Sequence, residues 1–227
     1  MPQAPAVARV GVSARAEFLT RAYMHLLLAV FGLVGFELAL FQSGAAARIA
    51  RAFGSVNWLL ILGGFMIVGW LARSLAHGSG RSLALQYLAL AGYVVAKGLI
   101  LVPLLYAADN KAPGLIQSAA FVTVTAFLGL TAVVYTTRKD FTFLRPFLRF
   151  VGICALVAIV AAVLFGFRLG TWFSVAMVLV AGGSILSDTS AVMRRYPTDR
   201  YVGASLELFA SIAFMFWYVL RLHARHR

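Results

Sequence analysis

Seven apolar stretches separated by short polar connections leave this chain one kind of environment to fold in. They run from Phe18 to Phe41, Trp58 to Leu71, Leu83 to Tyr106, Leu115 to Tyr135, Phe147 to Phe167, Trp172 to Leu186 and Tyr201 to Leu222. A bilayer core of ~30 Å takes about 20 residues of helix, so most of these runs can cross it. The second and sixth are short and are expected to extend into Asn57 and Ser74, and into Gly170 and Asp188. Strands would need a closed barrel and a period-2 alternation that the sequence lacks, so the spans are expected to be helical. A composition of 62% hydrophobic and 12% charged residues, with a mean hydropathy of +0.91, belongs to the same class. The expected fold is therefore an all-α, polytopic bundle of seven transmembrane helices. One domain is expected over residues 18–222, with a disordered polar lead-in over 1–17 and a basic tail over 223–227. A signal peptide is the rival reading of the first run, but that run is about twice the usual apolar length and contains His25 and Glu37.

A net charge of +13 in a soluble protein would raise nucleic acid as a partner. Here the basic residues flank the apolar runs, as topology determinants do, so the expected partner is the lipid bilayer and not nucleic acid. Twelve of them, from Arg9 to Arg200 and including Arg73, Arg81, Arg145 and Arg149, fall on the side of the N-terminus. Arg48, Arg51, Lys111 and Arg168 fall on the other, joined by Arg221, Arg225 and Arg227 if the tail lies there too. The excess predicts a cytoplasmic N-terminus; a re-entrant last segment returning the tail to the cytoplasm is the alternative. Glycines at Gly78-Ser79-Gly80 and Gly166 to Gly170 mark connections. Trp58, Tyr106, Trp172, Trp217 and Tyr218 suit interfacial belts, and Gly63, Gly64, Gly182 and Gly183 permit close helix contact. Cys154 has no disulfide or metal-binding partner in sequence, and His25 lacks a second ligand at i+3 or i+4, which makes it a hydrogen-bonding group of the bundle interior.

Four ionisable residues inside the runs need a reason to be there: Glu37, Lys97, Asp188 and Glu207. Each costs about 2.5–3.5 kcal/mol near a helix centre, so such groups pair, neutralise or line a wet cavity. Counting ~1.5 Å per residue puts Glu37 and Lys97 in the outer half, where an intramembrane ion pair between them is expected, and Asp188 and Glu207 in the inner half. Two carboxylates held close in a low dielectric cannot both stay ionised cheaply: they share a proton or a cation bridges them. That makes Asp188 with Glu207 a candidate pH sensor and cation site. Gly203, Glu207 and Ser211 recur at i, i+4 and i+8 and form one small, polar face aimed into the bundle. The bland reading is that Asp188 caps a helix end and Glu207 is a neutral, hydrogen-bonded acid.

Enzymatic readings have little to stand on. No phosphate-binding Gly-rich loop, H-E-x-x-H or Gly-x-Ser-x-Gly is present. An intramembrane aspartyl protease would need two catalytic aspartates in spans, and only Asp188 approaches that. A proton-coupled transporter would show an inverted repeat with paired broken helices, which is not evident. The expectation is a non-enzyme without a cofactor.

Several stretches carry a resemblance: Leu130 to Tyr135, Arg138 to Leu144, Ile185-Leu186-Ser187-Asp188-Thr189 and Leu206-Glu207-Leu208-Phe209. With these the chain resembles the Bax inhibitor-1 family of small polytopic membrane proteins, in its bacterial form, from Phe18 onward. The resemblance implies a seven-helix bundle and a pH-sensitive calcium leak channel, in which two aspartates on the sixth and seventh spans share a proton at the cytoplasmic mouth. Asp188 falls on the first of these aspartates. The second falls on Ser211, and Glu207, one turn earlier on the same face, is the acid that could replace it. Calcium and protons are then the expected partners. The alternative implied by the bacterial relatives is a non-transporting regulatory protein, such as a modulator of a membrane-anchored protease, whose partner is another membrane protein.

Overall fold

The computed structural model describes residues 5–77 and 82–226, and among these the regular elements are helices joined by short turns. They are α1 (Val12–Gln42), α2 (Ala45–Ser55), α3 (Trp58–His77), α4 (Leu83–Asp109), α5 (Leu115–Thr137), α6 (Leu144–Phe165), α7 (Thr171–Arg194) and α8 (Tyr201–His226). All but α2 are long and apolar enough to cross a bilayer. The connection Gly78-Ser79-Gly80, Arg81, Arg227 and the first four residues of the lead-in lie outside the described residues.

Helix α8 is the axis of the bundle. A helix that is apolar nearly all round belongs at the centre, and α8 packs against α1, α3, α4, α5 and α7. Val202, Gly203, Ala204, Ser205 and Leu206 are buried in succession, and Leu208 and Phe209 follow them into the core. The outer helices turn large apolar side chains such as Phe31, Trp70, Phe121 and Trp172 outward. On a soluble protein that surface would be a liability; against lipid it is the expected face. Helix α6 leans on α7 and barely meets α3, so the bundle is least tightly closed between α3 and α6. Where α4 crosses α1, Gly98 is required: a Cβ there would come within 2.5 Å of the Phe36 ring.

Three boundaries differ from expectation. The lead-in is ordered from Pro5: Val7 is fully buried, its N–H donates to Tyr196 O at 2.9 Å, and Thr198 N–H donates to Pro5 O at 3.3 Å. α1 then begins at Val12 rather than Phe18, because nothing in Val12–Glu17 breaks a helix. The tail continues α8 to His226, and Arg225 donates to Leu169 O at 2.6 Å. Between the first two apolar runs, Arg48 and Arg51 lie with Ala residues and Phe53 in α2, a short amphipathic helix suited to an interface.

Candidate functional site

Asp188 lies six residues before the end of α7, and Glu207 lies six residues after the start of α8. The two helices are consecutive and antiparallel, so both acids sit roughly 9 Å in from the same end of the bundle. That position removes the capping role for Asp188, since α7 continues to Arg194. Both side chains are about one-fifth exposed and line one cavity of about 670 Å³.

Each acid meets a different arginine. Arg73 of α3 donates from Nε to Glu207 Oε2 at 3.2 Å. Arg145, at the start of α6, places Nη2 3.7 Å from Asp188 Oδ1. Ser211, one turn beyond Glu207 on α8, donates from Oγ to Asp188 Oδ2 at 2.6 Å. The polar face expected from Gly203, Glu207 and Ser211 is thus built, and Ser211 is the group that reaches Asp188. Tyr93, Lys97, Arg149 and Tyr196 complete the polar wall, so four basic side chains face two acidic ones. Arg73 and Arg145 were missed as site residues because they stand at the ends of apolar runs and read as topology determinants. The clue was an arginine at each rim, facing an acid one to two turns inside.

The expected ion pair between Glu37 and Lys97 is not formed. Both Glu37 carboxyl oxygens are buried without a hydrogen-bond partner, beside the α1–α4 crossing at Gly98. The Lys97 ammonium lies instead 5.5 Å from the centre of the Tyr93 ring and 5.9 Å from that of Phe65, within cation–π range. Depth was estimated along each helix, but facing depends on rotation: Lys97 turns toward α3 and the cavity, away from α1.

A resident calcium site does not fit these residues. Calcium takes six to eight oxygens, whereas Asp188 and Glu207 are each engaged by arginine, and the described residues hold no group of three His, Cys, Asp or Glu able to bind a metal. His25 behaves as a structural group: Nδ1 lies 2.7 Å from Arg21 O and Nε2 2.8 Å from Tyr87 Oη.

Around this site the loop from α5 to α6 is pinned to the end of α7. Asp140 accepts from the Thr142 hydroxyl at 2.6 Å, the Thr142 amide at 2.9 Å and Arg195 at 3.1 Å, while Phe141 N–H donates to Ser190 Oγ at 3.1 Å. Arg194 donates to Arg138 O, capping α5 where Arg138 adopts a left-handed conformation with φ 51°. These contacts use the stretch Arg138 to Leu144 that carried the resemblance. The family model described as inhibitor of apoptosis-promoting Bax1 matches residues 15–227.

The chain belongs to the Bax inhibitor-1 family. Among curated proteins it is similar to an uncharacterized membrane protein of Vibrio cholerae, 37% identical over 121 residues, which is 52% of each chain. It is also similar to an uncharacterized protein of Pseudomonas aeruginosa, 34% identical over 110 residues, covering 47% of this chain and 48% of the relative. The chain thus matches about half the length of these relatives. Membership in the Bax inhibitor-1 family agrees with the seven apolar helices: this is an integral membrane protein whose outer surface contacts lipid.

Proposed function

We propose that this Bax inhibitor-1 family member is a non-enzymatic, pH-sensitive cation leak, with calcium as the permeant ion, gated by the ionisation of Asp188 and Glu207. The observation that carries the reading is the pairing of each acid with an arginine from a different helix: α3 through Arg73 and α6 through Arg145. While ionised, the carboxylates draw α3 and α6 onto the α7–α8 pair and their charge is neutralised, which describes a closed gate. A proton on either acid removes the attraction for its arginine and lets that helix move away. The groups facing the acids from the neighbouring elements are Arg73, Tyr93, Lys97, Arg145, Arg149 and Tyr196. Falling pH therefore opens the mouth. In this reading the N-terminus is cytoplasmic in a bacterial inner membrane, and the acids lie near the cytoplasmic face. Calcium flux into vesicles containing the purified protein, followed against pH in wild type and Asp188→Asn, tests the proposal: an unaltered pH profile in the variant ends it.

A second reading is favoured by the same wall. Four basic residues against two acids do not collect a divalent cation. A non-transporting regulatory protein that binds another membrane protein needs no conducting path. A stoichiometric partner co-purifying in mild detergent, with no flux from the isolated protein, decides for it.

A further inference from the structure

A second cavity, of about 870 Å³, opens sideways between α3 and α6, where the two helices make little contact. Most of its wall is apolar, built from residues such as Leu62, Phe65, Leu156 and Ile159. At one end the lining changes to three arginines: Arg168 from the α6–α7 loop, and Arg221 and Arg225 one turn apart on α8. No described lining residue is acidic. Arg225 is tied to Leu169 O, which holds the loop carrying Arg168 against the end of α8. Trp58 and Trp217, stacked with ring centres 6.3 Å apart, stand in the same wall.

We propose that this groove binds an anionic phospholipid, with an acyl chain between α3 and α6 and the phosphate among Arg168, Arg221 and Arg225. A laterally open, apolar space at hydrocarbon depth suits lipid chains and offers water few partners. Along α8 the lining extends from Ala213 to Arg225, roughly 18 Å at the helical rise, which matches one leaflet of a ~30 Å core plus the start of the headgroup layer. Guanidinium groups fit phosphate oxygens in a forked geometry, and no carboxylate in the lining competes for them. The inner end of the groove meets the acidic cavity at Arg73, Tyr93, Lys97, Gly152, Met177 and Phe214, which line both.

Native mass spectrometry of the full-length protein in mild detergent, offered phosphatidylglycerol and phosphatidylcholine of identical chains, tests the assignment. Wild type should retain one phosphatidylglycerol in preference to phosphatidylcholine. Arg168→Gln with Arg221→Gln, which spares the Arg225 tie, should cut that preference roughly 25-fold, from about fivefold per basic residue. Gly152→Leu should release both lipids, since a Cβ at Gly152 meets nothing within 4 Å and the added side chain extends into the groove. Equal retention of the two lipids by wild type, an unchanged preference in the double variant, or full retention in Gly152→Leu would each overturn the proposal. So would a dimer without bound lipid, which would mean that a second copy fills the groove. If the double variant does not fold, Gly152→Leu still decides.

Discussion

Ser211 Oγ donates to Asp188 Oδ2 at 2.6 Å, so the two helices meet through a neutral hydroxyl and a carboxylate. The hydroxyl stabilises the ionised form of Asp188, whereas an aspartate would oppose it unless protonated. Ser211→Ala should cost about 1.5–3 kcal/mol, the range for a hydrogen bond to a charged group, seen as a lower melting temperature at neutral pH. Ser211→Asp should be more stable in acid than at neutral pH, because one of two adjacent carboxyls must then hold a proton.

Arg73 and Arg145 should not be equivalent. Arg73 makes a hydrogen bond to Glu207 at 3.2 Å, while Arg145 stands 3.7 Å from Asp188, which keeps Ser211 as a second partner. Arg73→Gln is expected to destabilise by about 1–3 kcal/mol, since it leaves a partly buried acid with less compensation, and Arg145→Gln by less. Melting of the two variants in the same detergent gives the order.

The N-terminal segment should hold the loop that carries Tyr196. Val7 is fully buried and its amide donates to Tyr196 O. Val7→Ala is expected to cost about 1–2.5 kcal/mol in lost burial and cavity formation. Hydrogen exchange should rise in residues 195–200 before it rises in α4. Equal acceleration throughout would remove the local role assigned to this contact.

Asp140 gives a pH dependence outside the membrane. Its carboxyl is held down to about 2, first by the Thr142 hydroxyl, against a smaller opposing effect of burial, and then by the Thr142 amide and Arg195. A folded pKa below the unfolded value means that this stabilisation is complete above about pH 4 and is lost as pH falls through about 2. The melting-temperature gap between wild type and Asp140→Asn should therefore be full at neutral pH and close across that window.

The number of spans and the placement of Asp188 and Glu207 near one end were legible because both follow from apolar run length and helical rise. Partner choice was not. Glu37 and Lys97 sit at similar depth, yet Lys97 faces Tyr93 and Phe65 while the Glu37 oxygens are unpartnered, because rotation about the helix axis is set by packing that no single run encodes. Arg73 and Arg145 carry the same signal as any flanking basic residue until their helices are packed against α7 and α8. The burial of α8 was only partly legible. Its Gly203, Glu207 and Ser211 face stood out, but Leu206 and Phe209 are core residues as well, and one central helix has no lipid side at that level.

In the proposed gate the ionised acids keep the bundle closed. Calcium entry into proteoliposomes is to be measured across the pH range for wild type, Asp188→Asn and Glu207→Gln. Wild-type flux should rise as pH falls, while each variant should leak at all pH values with a flattened profile. Wild-type flux that ignores pH, or variants that keep the wild-type profile, would rule the gate out.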